Sequence, residues 1–537
     1  MATKQPNIVL ILADDMGYSD LGCFGSEIQT PNIDSMAEKG ISYTSMYNCA
    51  RCCPSRASLL TGLYPHKAGI GHMTGNLGTE PYQGYLRNDC VTIAETLRQG
   101  GYRTLISGKW HVGGGFDPLK ADTWTPGDNE HPTPLQRGFD KFFGIFDGAC
   151  SYFHPHHLME GDERLIPDPE GFYLTDEISN QAVTMIEESV QEDQPFFLYL
   201  PYTAPHWPLH AHPEDIDKYK GIYNKGWDEI RTSRHEKLQS LGILDKRWDI
   251  SPRDKGSIPW DEVKDPEWEA SRMAVYAAQV ESMDKGIGSV LNTLRTQGIE
   301  ENTIVIFMSD NGGCAEFMAE DGWASFYPAL TPDGQKINLG NHPDVSPGGP
   351  LTFMSYDLPW ANVSNTPFRL FKHWVHEGGI STPMVIQWPV AITEKRIEHT
   401  PCHVIDIMPT FLDAAGIEYP QEFNGNKIQS LDGESLISSF NQSGWKRETP
   451  IFWEHEGNCA YRFGDWKLVC EYEGKWELYD MSCDRTELKD LSLENRPMVE
   501  KFMAEFQEWA QQMGVIEWSQ LIEPLKKAWG VEDLPND

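Results

Sequence analysis

The sequence predicts an α/β fold: a mostly parallel sheet with helices on both faces, followed by a smaller α+β region at the carboxyl end. Three observations lead there. Continuous apolar runs of strand length end in polar residues, helical patterns lie between those runs, and the texture changes to short alternating segments after about Gly444.

The first run, Asn7 to Ala13, reads Ile-Val-Leu-Ile-Leu and stops at Asp14-Asp15. An unbroken apolar strand is buried on both faces, and its polar tip marks the edge of the sheet. Val91 to Gln99 and Ala274 to Arg295 carry helical periodicity. Phe196 to Leu200 and Met384 to Trp388 repeat the apolar-strand pattern, and Thr303 to Met308 does so ahead of Ser309-Asp310-Asn311-Gly312. In such sheets ligands collect at the carboxyl ends of the strands. Two stretches break the alternation, a charged, Trp-containing one from about Pro213 to Glu269 and a Gly/Pro/Asn-rich one from about Ala315 to Thr366. They read as insertions or long loops within a domain spanning 1–443 (213–269 and 315–366). Residues 444–537 read as a small α+β domain, with alternating segments Cys459 to Phe463, Trp466 to Tyr472 and Trp476 to Tyr479 before a helical pattern from Pro497 to Met513.

Composition narrows the function. The chain has 537 residues, enough to bury a large core, and its 39% hydrophobic and 11% aromatic content is that of a folded protein. No run of about 18 apolar residues is present, so no membrane-spanning helix is expected. With 44 basic against 80 acidic residues the formal charge is −36, which repels nucleic acid and anionic membranes at long range. Basic residues converging in one pocket would be a local exception that points to an anion. The 11 cysteines are odd in number and define no complete disulfide framework. Met1 to Gln5 lacks the pattern of a secretory signal, so the expectation is a cytoplasmic protein, or a periplasmic or secreted one if a signal peptide was trimmed.

The decisive segment is Cys52-Cys53-Pro54-Ser55-Arg56-Ala57-Ser58-Leu59-Leu60-Thr61-Gly62. A cysteine near an arginine is, taken alone, more often structural than reactive. The wider pattern resembles the signature of the type I sulfatases, Cys-x-Pro-Ser-Arg followed by Leu-Thr-Gly. The resemblance extends to Gly108-Lys109-Trp110-His111, Ala204-Pro205-His206-Trp207-Pro208, Phe371-Lys372 ahead of Glu377-Gly378-Gly379, and Leu478-Tyr479-Asp480, and it is strongest to bacterial arylsulfatases. It implies an alkaline phosphatase-like architecture, with a large mixed sheet and a smaller carboxyl-terminal antiparallel sheet packed by a helix. It also implies that Cys52 is oxidised by a maturation enzyme to formylglycine (3-oxoalanine) and that Arg56 stabilises the aldehyde hydrate.

On spacing alone, Asp14, Asp15, Asp310 and Asn311 offer four oxygen ligands for one hard cation, although acidic pairs after strands are often caps or turns. The resemblance makes them the metal set, for one calcium ion in preference to magnesium. A sulfate ester accumulates charge on its leaving oxygen as the bond to sulfur breaks, so the site needs cations and a proton donor. By the resemblance Lys109 and Lys372 supply cations to the substrate, His206 protonates the leaving alcohol, and His111 helps expel sulfate from the hydrate. One hydroxyl of the hydrate attacks sulfur, and loss of sulfate regenerates the aldehyde.

His154, His156 and His157 cluster without an accompanying carboxylate in the sequence, which favours a substrate rim or plain loop over a second metal. Cys49 and Cys53 flank the nucleophile but lie too close in sequence to bridge well. Trp207, Trp323 and Trp360 are equally suited to stacking on substrate and to packing. Three rivals stand: a phosphonate monoester hydrolase or phosphodiesterase of the same superfamily, a silent binder of sulfated glycans, and a phosphoglycerate mutase-like enzyme. The second would lack a chemical residue, and the third would carry a serine in place of Cys52. The physiological ester, aryl or sugar, and the oligomeric state are not legible in the sequence.

Overall fold

The apolar runs form the middle of one large sheet. The computed structural model describes residues 5–115, 125–168, 171–441 and 445–534. Its strands are β1 (Asn7–Ala13), β2 (Ile41–Tyr47), β3 (Arg103–Ser107), β4 (Lys141–Ile145), β5 (Leu158–Glu160), β6 (Glu163–Arg164), β7 (Phe196–Pro201), β8 (Thr303–Ser309), β9 (Ser381–Gln387), β10 (Arg396–Glu398) and β11 (Cys402–His403). The order across the sheet is β10-β2-β9-β8-β1-β7-β3-β4-β5-β6, with β11 also on β2.

The centre, β8-β1-β7-β3-β4, is parallel. The strand expected at Met384 to Trp388 runs antiparallel to both its neighbours, as β9, and β5 and β6 are also antiparallel. The sheet is therefore mixed, as the family resemblance implied. The alternation of apolar runs and helices predicted a mostly parallel sheet, as its centre is, but nothing in the run at Met384 to Trp388 marks it as reversed. Alternate side chains of β1 feed two separate cores: Ile8, Leu10 and Leu12 on one face, Val9 and Ile11 on the other. Truncating one of these to alanine should cost about 2–5 kcal/mol.

The helices that matter for the site are α1 (Pro31–Lys39), α2 (Cys52–Thr61) and the 31-residue α3 (Pro266–Thr296), which is longer than its apolar pattern predicted. The stretch from Pro213 to Glu269, expected as insertion or loop, holds two helices, Pro213–Tyr219 and Gly226–Ser240, and the start of α3. Residues 315–366 hold only short elements, among them Asn338–Leu339 paired with Thr352–Phe353 and the helix Asp357–Ser364.

The expected boundary at 443–444 lies outside the described residues. Beyond it, an antiparallel sheet of β12 (Ile451–His455), β13 (Asn458–Phe463), β14 (Trp466–Cys470) and β15 (Glu477–Asp480) packs against α4 (Arg496–Met513). A last helix, α5 (Trp518–Trp529), was not anticipated. Lys467, Glu377, Glu487 and Arg485 form a buried ion network that fastens this sheet to the large one: Lys467 Nζ lies 3.0 Å from Glu377 Oε1 and 2.7 Å from Glu487 Oε1, and Arg485 lies 3.0 Å from Glu377 Oε2.

Candidate active site

Strand register builds the site. β1 and β8 pair from Asn7↔Thr303 to Ala13↔Ser309, so Asp14 and Asp310 leave the two strands side by side. Asp15, in the left-handed region at φ 64, turns back so that its N–H donates to Asp310 Oδ1 at 3.1 Å. Gly108 follows β3 in the same layer at φ 135; a Cβ there would fall 1.9 Å from the Pro201 carbonyl oxygen. That close approach, open only to glycine, presents Lys109 to the carboxylates.

Helix α2 begins at Cys52, and all ten of its residues are buried. Cys52 and Arg56 stand four residues apart, on one face of the helix. Arg56 donates to Asp310 Oδ2 through Nε (3.0 Å) and Nη2 (2.8 Å), and its Nη2 lies 3.2 Å from Asp14 Oδ1. Lys109 Nζ donates to Asp14 Oδ2 at 2.6 Å and Lys372 Nζ to Asp15 Oδ2 at 2.9 Å. His206 Nε2 is 3.3 Å from Asp15 Oδ2 and 3.4 Å from Lys372 Nζ, while its Nδ1 is fixed 2.7 Å from the Trp207 carbonyl. Sulfur and nitrogen donors of Cys52, Cys53 and His111 all lie within 4.8 Å of one another. Thus all ten candidate residues, Asp14, Asp15, Cys52, Arg56, Lys109, His111, His206, Asp310, Asn311 and Lys372, meet in one buried cluster.

Burial and charge shift these groups in opposite directions. Burial pushes the Asp310 carboxyl well up, helped by the charge of Asp14. Burial also acts against the Asp15 charge, but Lys372 and His206 overcome it and hold Asp15 at about 2. His111 and His206 are both held at about 4, chiefly by burial, so each ring is neutral near pH 7. A hydrogen bond with Cys53 pulls the Cys52 thiol well below its ordinary range, against the effect of burial and with support from His111 and Lys109.

The donor set fits a hard cation. Three carboxylates and an amide stand together, and Asp14 Oδ1 and Asn311 Oδ1 are buried oxygens without a hydrogen bond. Oxygen-only donors of this kind suit calcium or magnesium rather than a softer metal.

The sequence reading missed several groups around the cluster. Glu316 bridges Arg51 (3.1 Å) and Lys372 (3.6 Å) and accepts the Trp207 indole N–H at 2.7 Å. It sits in the Gly/Pro-rich stretch, where no local signal marks it. Asp147 supplies the carboxylate that the histidine cluster lacks in its own segment, with a ligand atom within 4.8 Å of those of His156 and His157. Of the three tryptophans, Trp207 and Trp323 line the cleft above Cys52, whereas Trp360 is core, packed edge-on to Trp227 and Trp260. Cys49 and Cys53 are free thiols. The cleft, about 760 Å³, is further lined by Phe326, Tyr327, Glu130, His131, Lys527 and Trp529.

A buried cysteine at the head of a helix, an oxygen-donor cradle at the tips of parallel strands and a group of buried cations thus form a single site. The chain belongs to the sulfatase family: the Sulfatase family model matches residues 6–417, and the model for the N-sulphoglucosamine sulphohydrolase C-terminal region matches residues 368–513. It is 33% identical over 527 residues to an uncharacterised sulfatase of Schizosaccharomyces pombe, covering 91% of this chain and 90% of that protein. It is likewise 33% identical over 459 residues to the arylsulfatase of Klebsiella aerogenes, covering 81% and 91%. Among solved structures, Ps i-CgsB in complex with k-i-k-neocarrahexaose superposes with a TM-score of 0.67 at 26% identity, covering 96% of this chain and 94% of that one. The phosphonate monoester hydrolase of Agrobacterium radiobacter, at TM-score 0.57 and 19% identity over 95% and 96%, shares the fold. The protein is a sulfatase, a hydrolase of sulfate esters.

Proposed function

We propose that this sulfatase acts on a sulfated saccharide, accepts aryl sulfates as model substrates, and uses formylglycine made from Cys52 together with one calcium ion held by Asp14, Asp15, Asp310 and Asn311. The observation that carries the reading is the placement of Cys52, His111, His206 and Lys372 in the lining of an aromatic-walled cleft, with Lys109 buried behind them on Asp14. In a chain of charge −36, the buried cations Lys109, Lys372 and Arg56 are the local exception an anionic substrate requires.

The formylglycine hydrate would supply an oxygen nucleophile that is released without hydrolysis of an ester to the enzyme. The ion would supply Lewis-acid polarisation of a sulfate oxygen. Lys109 and Lys372, both anchored to carboxylates, are positioned to hold the remaining sulfate oxygens, and Arg56, locked to Asp310, faces the nucleophile's end of α2. His111 lies beside position 52 to move a proton there, and His206 stands on the far side, next to Lys372, where the leaving oxygen would depart. Trp207, Trp323, Tyr327 and Trp529 offer ring faces for a sugar, and Glu130 and His131 offer polar contacts. The saccharide reading also draws on Ps i-CgsB bound to a neocarrahexaose and on a 26% identical N-acetylgalactosamine-6-sulfatase of Rattus norvegicus.

The test compares kcat/KM for 4-nitrophenyl sulfate and 4-nitrophenyl phenylphosphonate on protein whose position-52 peptide shows the formylglycine mass, and then measures sulfate release from sulfated oligosaccharides. Preference for the sulfate ester, and no turnover by a folded Cys52→Ala variant, is the expected result. Preference for the phosphonate would overturn the substrate assignment, and full activity with unmodified Cys52 would overturn the nucleophile.

A further inference from the structure

A second group of metal-type ligands lies outside the catalytic cluster, where the turn of the β12–β13 hairpin meets the loops of His72 and His373. His455 closes β12, and Glu456 and Gly457 make the two-residue turn before Asn458, with Glu456 in the left-handed region at φ 50. The turn carries the Glu456 carboxylate into a ring of three imidazoles. Glu456 Oε1 is 2.7 Å from His72 Nε2 and 3.5 Å from His455 Nε2, and Oε2 is 3.2 Å from His373 Nδ1. The His72 and His455 rings stack at 5.4 Å with 12° between their planes. His72 and His455 are almost wholly buried, at 2% and 1% exposure, and Trp518 covers the other face of His72 at 5.4 Å.

His455 is the telling residue. Both of its ring nitrogens are buried, and neither makes a hydrogen bond. A buried polar atom left unsatisfied costs about 1–3 kcal/mol, and native structures rarely leave one without a purpose. The spacing of the donors supplies one. Four-coordinate zinc, with bonds of 2.0–2.1 Å, places its ligand atoms about 3.3 Å apart. The separations of 2.7 and 3.5 Å from Glu456 Oε1 bracket that value.

We propose that His72 Nε2, His455 Nε2 and Glu456 Oε1 form a site for a transition-metal ion of the zinc class, distinct from the oxygen-only calcium cradle. Imidazole nitrogens with one carboxylate suit zinc and its late first-row neighbours, where the Asp-rich cradle suits calcium. His373 holds the second carboxylate oxygen and itself accepts from Asn458 Nδ2 at 3.3 Å, an outer contact that orients the ligand. The ion would pin the hairpin turn to the loop of His72 and, through His373, to the residue next to Lys372.

The test uses the full-length protein, stripped with chelator and dialysed against excess calcium before titration with Zn2+ or Co2+. One equivalent of zinc retained per chain is expected, and the cobalt form should show the strong visible absorption of a low-symmetry, nitrogen-ligated ion. Both should survive Asp310→Asn, which disturbs the catalytic cluster and leaves His72, His455 and Glu456 untouched. His455→Ala and Glu456→Gln should each weaken zinc binding by more than about 100-fold, beyond the loss expected for an outer-contact change, with metal-free melting profiles that match the metal-free parent. Glu456→Gln keeps the size of the side chain and so serves if His455→Ala fails to fold. No zinc retention by the parent, or equal retention by parent and Glu456→Gln, would overturn the site.

Discussion

His206 shows how one residue's surroundings assign its task. With Nδ1 tied to the Trp207 carbonyl, only Nε2 faces the cleft, 3.4 Å from Lys372 Nζ. Nδ1 keeps the proton of the neutral ring, so Nε2 can deliver one to the leaving oxygen only after taking it up, which a bound sulfate anion beside it favours; on this role His206→Ala should slow esters of poorly acidic alcohols by about 10²–10⁴-fold and leave an activated nitrophenyl ester much less affected. Rates over a leaving-group series check this, and equal losses across the series would remove the acid role. The residues of the cluster were legible because each sits in a short contiguous motif: Cys52 and Arg56 share one helix face, and Asp14 and Asp310 end two apolar strands. Glu316 and Arg51 were not, because their pairing at 3.1 Å joins positions 265 residues apart in a stretch without periodicity.

At the scale of elements, the four apolar strands and the mostly parallel character of the sheet were legible, and the antiparallel setting of β9 was not. β1 and β8 fall where their apolar runs are, but the antiparallel setting of β9 depends on the connection that leads into it. Helix contacts were further from view. The N-terminus of α1 is capped from α3, in another part of the chain, by Asp284, which accepts from the backbone N–H groups of Asn32 (3.1 Å) and Ile33 (2.9 Å). Burial pushes this carboxyl up to about 6 despite those bonds. Between the unfolded value near 3.8 and about 6 the folded protein binds the extra proton, so this group's contribution is greatest below about pH 4 and declines as pH rises to 6. The full span is at most about 3 kcal/mol. Asp284→Asn removes that titration while keeping an acceptor for the cap. Its stability relative to the parent, read from denaturant melts, should therefore rise between pH 4 and pH 7; a difference that stays flat with pH would count against a raised carboxyl.

Over the whole molecule, the carboxyl-terminal region reaches back to the catalytic cleft. Helix α5 ends at Trp529, which lines the cleft with Lys527 and meets Trp323 edge-on at 5.6 Å. Trp323 comes from the loop stretch after β8 and Trp207 from the segment after β7, so the rim joins three distant parts of the chain. No local pattern in the sequence foretells such a meeting, since α5 carries only the marks of an amphipathic surface helix. On the proposed reading the buried cluster would hold the sulfate group, and the aromatic rim would hold what the sulfate is attached to. Trp529→Ala should therefore raise KM for a sulfated oligosaccharide by about tenfold, the worth of one stacked ring at about 1–1.5 kcal/mol. The same change should leave kcat/KM for 4-nitrophenyl sulfate within about twofold, because a single aryl ring offers the rim far less surface than an oligosaccharide and the chemical step is unchanged. Parallel losses for both substrates would mean that Trp529 supports the catalytic cluster itself; a loss confined to the oligosaccharide would make α5 part of the saccharide subsite.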